Sequence, residues 1–127
     1  MESNARRLVA IVDDDPSVLR ALGRLVRSLG FDAETHASAE ALLERVVAAP
    51  PDAVLLDLHL PGLRGPDAIH ALRHRSTRAR IIVVTGLDHP GAREACLAAG
   101  AAAYLAKPVG RDELAALLCA AEPERFL

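Results

Sequence analysis

Short unbroken apolar runs alternate with longer segments whose apolar positions recur every three or four residues, and this alternation repeats five times along the chain. The runs predict strands at about Leu8 to Asp13, Asp32 to Thr35, Ala53 to Asp57, Arg80 to Thr85 and Ala102 to Ala106. The periodic segments predict helices at about Pro16 to Leu29, from Ser38 to Val47, from Pro66 onward, Pro90 to Ala99 and Arg111 to Ala121. Such an order is the mark of βα units building a parallel sheet. In the first helix Val18, Leu22, Leu25, Val26 and Leu29 fall on one face, and Arg20, Arg24 and Arg27 lie elsewhere. Asp15 is placed to cap it, Pro16 to occupy its first position and Gly30 to stop it. The first strand is apolar throughout, as suits a central strand covered on both faces, whereas the second is short and polar, as an edge strand can be. Ser38 caps the second helix, which carries Leu42, Leu43, Val46 and Val47, and Pro50 and Pro51 end it. The loop from His59 through Leu60, Pro61, Gly62, Leu63 and Arg64 to Gly65 has the composition of a shaped turn.

Composition narrows this to one soluble α/β domain. A chain of 127 residues is long enough to bury one core, here expected over about residues 7–122, and too short for a second domain of any size. A net charge of -2 suggests no polyanion-binding surface, so nucleic acid is not expected as a direct partner. No apolar run is long enough to span a bilayer, and the segment Met1 to Arg7 lacks the apolar core of a signal peptide, which makes the cytoplasm the default compartment and membrane association unexpected. Cys96 and Cys119 fall in predicted helices among Ala and Leu and are expected to be reduced, buried and inert. Phe31, Tyr104 and Phe126 are the only aromatic residues, too few to sandwich a base or a flavin.

The apolar runs do one more thing: they stop at residues suited to phosphate or metal chemistry. LVAIV ends at Asp13 and Asp14, AVLL at Asp57, IIVV at Thr85 and AAYLA at Lys107. An open parallel sheet presents the C-terminal ends of its strands along one edge, where α/β folds place their sites, so these side chains are expected to meet in one crevice. Asp15 alone accounts for helix capping, and the simplest account of Asp13 and Asp14 is then a pair of solvated loop acids. Asp57, at the end of a central strand, argues for more. Clustered carboxylates repel unless a proton or a cation intervenes, and hard oxygen ligands suit Mg2+ rather than zinc. Phosphoryl transfer to Asp57 would form an acyl phosphate, with the Lys107 ammonium and the Thr85 hydroxyl answering the charge on the phosphoryl oxygens. Taken singly, Lys107 also reads as a solvated loop lysine and Thr85 as an ordinary β-branched strand residue. His70 and His74 have the i, i+4 spacing of a zinc pair, but no third ligand accompanies them and a solvated helix face explains both; His36 and His89 are read as surface residues. No glycine-rich nucleotide loop is present.

The segments IVDDD, LLDLHLPGLRG, VVTG and AGAAAYLAKP, in that order and covering nearly the whole chain, resemble the response regulator receiver domains of two-component signalling. The resemblance implies a flavodoxin-like (βα)5 doubly wound fold with a parallel five-stranded sheet in the order 2-1-3-4-5. It implies that Asp57 accepts a phosphoryl group from a histidine kinase or histidine phosphotransfer protein. Asp14, Asp57, Asp13 acting through water, and the backbone carbonyl of His59 would hold Mg2+. Lys107 would pair with the phosphoryl oxygens, with a cis bond to Pro108. Thr85 and Tyr104 would form the switch, Tyr104 moving inward when Thr85 engages the phosphoryl group. A changed surface on helix four, strand five and helix five would then meet a downstream protein or a second copy of the chain, and the domain itself would not turn over a substrate as an enzyme.

Several positions tune or depart from the family's commonest pattern. Gly86 stands where Ala is frequent, His59 and Leu87 occupy positions expected to control water access and so the lifetime of the acyl phosphate, and Val109 replaces a frequent Phe. Ser38-Ala39-Glu40, the His59-Leu60-Pro61-Gly62 loop and Thr85-Gly86 resemble receivers attached to helix-turn-helix transcription factors and to hybrid kinases, which points to transcriptional control by a parent protein. Two other functions compete with the phosphoacceptor. One is a constitutive interaction module that keeps the fold without the chemistry, which an intact set of Asp13, Asp14, Asp57, Thr85 and Lys107 disfavours. The other is an aspartyl phosphatase, which would need an acid at the position of His59.

Overall fold

The computed structural model describes residues 7–46, 48–60, 62–63, 65–75 and 78–119. Elements follow in the order β1 (Leu8–Val12), α1 (Pro16–Ser28), β2 (Asp32–His36), α2 (Ala39–Val46), β3 (Ala53–Asp57), α3 (Gly65–Arg75), β4 (Arg80–Thr85), α4 (Ala92–Ala99), β5 (Ala103–Ala106) and α5 (Arg111–Cys119). The strands form one parallel sheet in the order β2-β1-β3-β4-β5. That is the doubly wound arrangement expected from the sequence. The predicted positions of Val47 and of Ala121 at the end of the last helix, and those of Pro61 and Arg64 in the loop after β3, fall outside the described residues.

Strand side chains alternate between two faces, and each face has its own core. Ala10, Val12, Val54, Leu56, Ile81, Val83 and Tyr104 pack with Leu42, Val46, Ile69, Leu72 and Cys96 from α2, α3 and α4. Val9, Ile11, Leu55, Ile82, Val84 and Leu105 pack with Val26, Leu114 and Leu118 from α1 and α5. Because helices cover both faces, β1, β3 and β4 are buried nearly end to end, which is why their sequences read as unbroken apolar runs. β2 has only β1 as a neighbour in the sheet, and none of its residues is fully buried, which matches its polar sequence.

Local chemistry sets the helix ends. The Asp15 carboxylate accepts from the backbone N–H of Ser17 at 2.9 Å and from its hydroxyl at 2.8 Å, and Pro16 opens α1. Ser38 Oγ accepts from the Ala41 N–H at 3.1 Å and starts α2. α4 starts later than the sequence suggests: Gly91 takes a left-handed φ of 83° before Ala92, so Pro90 lies in the preceding loop and not in the helix. At the other end Gly100 has φ 119°, and an added Cβ there would lie 3.2 Å from Arg73 Nε, so backbone and space both call for glycine. Two further expectations need correction. Cys119 is exposed on the last turn of α5, while Cys96 is buried as expected. His36 is half-buried, its ring nitrogen 2.9 Å from Glu34 Oε2, because the side chain folds back along the edge strand. His70, His74 and His89 are exposed, and among the described residues His70 and His74 gather no third ligand.

Ile82 is fully buried at the centre of β4, between β3 and β5. Ile82→Ala is expected to cost about 2–5 kcal/mol in chemical denaturation, since a rigid sheet beneath two helices cannot collapse into the space left. The same truncation at Leu97, 37% exposed on α4, is expected to cost no more than about 1 kcal/mol.

Candidate functional site

The sheet order places β1 at the point where the chain turns from one side of the sheet to the other, with β2 on its left and β3 on its right. A crevice opens at such a point, beyond the C-terminal ends of the two diverging strands. Asp13 and Asp14 follow β1 directly, and Asp57 is the last residue of β3. The register pairs Val12 with Leu56 and Asp57 with Val84, which sets the acids of the two strands side by side. Asp13, Asp14 and Asp57 each bring a carboxylate oxygen to within 4.8 Å of the others.

Burial divides their roles. Asp13 is 2% and Asp57 7% exposed, and Asp14 opens to solvent. The Asp13 carboxylate is fully engaged: one oxygen accepts from the Asp15 N–H at 2.9 Å and the other from the Lys107 ammonium at 2.8 Å. Asp57 is held more loosely. Its Oδ1 accepts from the His59 N–H at 3.3 Å and lies 3.7 Å from Lys107 Nζ. Burial pushes the Asp57 carboxyl above its ordinary value, the negative charge of Asp13 pushes it further, and the Lys107 ammonium offsets only part of this. For Lys107, burial pulls toward the neutral form, but the hydrogen bond to Asp13 and the charges of Asp57 and Asp13 together outweigh it and raise the ammonium. Among the described residues, three carboxylates therefore face one cation, and the site is short of positive charge.

Those donors fit a hard divalent cation. All three are carboxylates, no sulfur or imidazole ligand joins them among the described residues, and the exposed Asp14 leaves the group open to water.

Thr85 ends β4 beside this crevice, yet its hydroxyl is turned to its own loop. It donates to the Leu87 carbonyl at 2.7 Å and accepts from the Leu87 N–H at 3.1 Å. The His59 ring joins the same carbonyl, Nε2 donating at 3.1 Å, and stacks edge-on against His89 with centroids 5.1 Å apart. His59 and Leu87 thus touch across the mouth of the crevice, Leu87 being 63% exposed. An added Cβ at Gly86 would sit 3.8 Å from Lys107 Cδ, an ordinary contact, so space does not demand glycine there. The Lys107–Pro108 bond is cis. Val109 is partly buried against the α1/α5 core, beside a recess of about 390 Å³ lined by Val18, Leu22, Leu25, Val84 and the Lys107 stem.

The sequence brought Asp13, Asp14, Asp57, Lys107 and Thr85 to one strand edge, and the structure places them there. It did not single out Asp88, whose carboxylate accepts the Tyr104 hydroxyl at 2.8 Å. The only sequence signal was an acid three residues beyond Thr85.

Comparison with known proteins agrees with this architecture. The profile of the response regulator receiver domain matches residues 9–119. The chain is 38% identical over 114 residues to the transcriptional regulatory protein KdpE of Mycobacterium tuberculosis, covering 90% of this chain and 50% of that protein. It is 34% identical over 125 residues to the signal transduction histidine-protein kinase BarA of Escherichia coli, covering 96% of this chain and 14% of the kinase. The chain therefore spans about half the length of KdpE and a smaller part of BarA. Among solved structures, a CheY-like response regulator receiver domain protein from Methanospirillum hungatei superposes with a TM-score of 0.87 at 26% identity, covering 95% of this chain and 97% of that one. Fold, strand-edge acids and sequence relatives agree, and the chain belongs to the response regulator receiver domain family of two-component signalling.

Proposed function

We propose that this chain is a phosphoacceptor switch in which Asp57 reversibly carries a phosphoryl group received from a histidine kinase or a histidine phosphotransfer protein. One observation carries the reading: a buried strand-end carboxylate lies within 4.8 Å of two other acids and 3.7 Å from an ammonium. In the transfer, an Asp57 carboxylate oxygen forms a bond to phosphorus as the bond from phosphorus to the donor imidazole breaks, and the imidazole leaves neutral after taking up a proton. Attack by water reverses the modification.

Asp14 and Asp57, with Asp13 through water and the His59 carbonyl, would hold Mg2+, which neutralises charge on the phosphoryl oxygens when bound. The chain's own groups do the rest. Lys107, bonded to Asp13 at rest, can reach the phosphoryl group because Asp57 is only about an ångström farther from its ammonium than Asp13. The Thr85 hydroxyl has a single proton, so donating it to a phosphoryl oxygen requires releasing the Leu87 carbonyl. His59 and Leu87, in contact over the crevice, would limit the approach of water and so set the lifetime of the acyl phosphate, with Gly86 easing movement of the backbone between Thr85 and Leu87. Tyr104 on β5 would carry the change to the α4, β5 and α5 face, where a downstream protein or a second copy would read it. The domain acts as a carrier and switch without turning over a substrate. It would work in the cytoplasm; no helix among the described residues is long and apolar enough to cross a membrane.

Two outcomes test this reading. Beryllofluoride with Mg2+ is expected to shift the amide signals of Thr85 and Tyr104, and Asp57→Asn to abolish the shifts; an unresponsive wild type would leave a constitutive interaction module as the function. The second concerns stability. Because the folded-state pKa of Asp57 lies above its ordinary value, the folded protein binds more protons than the unfolded one between those two values, and stability falls as pH rises through that window. The cost is complete above it. Without Mg2+ at pH 7, Asp57→Asn should therefore raise Tm, and the gap should close as pH falls into the ordinary carboxylate range. Added Mg2+ should raise the Tm of the wild type more than that of the variant.

A further inference from the structure

Tyr104 is 8% exposed, its ring part of the core on the α4 side of the sheet, and its hydroxyl meets the exposed carboxylate of Asp88 at 2.8 Å. Asp88 stands three residues beyond Thr85 in the β4–α4 loop and directly follows Leu87, whose carbonyl accepts from both Thr85 and His59. The four residues from Thr85 to Asp88 are thus tied at both ends by side-chain bonds. Leu87 is tied to the crevice through His59, and Asp88 to the buried ring on β5.

Neither tie is independent of the other. The Leu87 peptide is fixed on both sides, its carbonyl by the Thr85 hydroxyl and its N–H donating back to that same oxygen at 3.1 Å. If the Thr85 hydroxyl turns toward Asp57, this ring of bonds opens and the Leu87 carbonyl, next to Asp88, is held from the crevice side by His59 alone. A carboxylate that moves with it must carry the Tyr104 hydroxyl along or release it. A buried phenol released from its acceptor would have an unpaired hydroxyl, which is costly, so the ring has reason to follow.

We propose that Asp88 is a positioning residue that couples Thr85 to Tyr104, its side-chain hydrogen bond passing movement of the β4–α4 loop to the β5 surface. The coupling rests on the phosphoacceptor reading of the same site, but the bond itself is measurable without any phosphoryl group. Asp88 touches neither Asp57 nor the acid cluster through any hydrogen bond or ion pair among the described residues. Its place is between the site and the surface.

Tyr104 is the only tyrosine and the chain has no tryptophan, so phenol absorbance and tyrosine ring signals report this residue alone. Burial, then the hydrogen bond to Asp88 and its charge, hold the phenol up at about 12. In the intact chain, the phenol of Asp88→Ala is expected to ionise at a lower pH than that of the wild type, with burial still holding it above the ordinary phenol value, and that of Asp88→Asn, which keeps an acceptor oxygen but no charge, to fall between the two. With beryllofluoride and Mg2+, the Thr85 amide of Asp88→Ala should shift as in the wild type, while the shift of the Tyr104 ring signals should fall to about half or less. Asp88→Asn should restore most of it. An Asp88→Ala variant whose Tyr104 ring responds as fully as the wild type, with Thr85 also responding, would overturn the coupling alone. A wild type in which Thr85 itself fails to respond would overturn the phosphoacceptor reading and the coupling with it, while leaving the ionisation result to stand for the bond.

Discussion

Repulsion among carboxylates at the C-terminal edge of the sheet is the constraint on which the site depends. Asp13, Asp14 and Asp57 each bring a carboxylate oxygen to within 4.8 Å of the others, and among the described residues Lys107 supplies the only ammonium beside them. Like charges this close raise the free energy of the ionised state, and burial of Asp13 and Asp57 raises it further. The fold sustains the arrangement because its cores lie on both faces of the sheet, so apolar packing holds β1 and β3 in register whatever happens at their ends. Stability is generated in one part of the molecule and given up in another. That division is what lets a divalent ion and a phosphoryl group find a ready charge deficit, as proposed here.

The same separation explains how much could be read from the sequence. A parallel strand buried on both faces must be apolar along its length, so the first polar residue after each run marks the strand end, and the parallel order brings all the ends together. Asp57, Thr85 and Lys107 could be assembled in this way without coordinates. The two-faced core was equally open to reading, since Val9, Ile11 and Ala10, Val12 alternate along β1 and each pair meets different helices. Capping residues worked because they act within a few positions of themselves, as Asp15 does on Ser17.

What escaped were contacts that depend on side-chain direction across a gap. Sequence order puts Lys107 at the site but says nothing of its preference for Asp13 over Asp57, which follows from the buried carboxylate of Asp13 pointing at the β5 end. Asp88 was indistinguishable from any other loop acid until the Tyr104 ring was seen to emerge beside it. Cys119 had an apolar neighbourhood in the sequence, yet on a helix its direction is set by its rotation about the axis, and it faces out while Leu118 faces in. Helix α4 begins at Ala92 and not at Pro90 because Gly91 takes a left-handed conformation, a choice that proline-glycine order alone leaves open.

The most direct test is chemical mapping of the modified side chain. After incubation with acetyl phosphate and Mg2+, borohydride reduces an acyl phosphate to the corresponding alcohol, so a phosphorylated aspartate is converted to homoserine and can be located by peptide mass mapping. The proposed function predicts conversion at Asp57, with Asp13 and Asp14 left intact and no conversion when Mg2+ is withheld. Conversion at another acid, or none at Asp57 in a folded protein supplied with Mg2+, would contradict it.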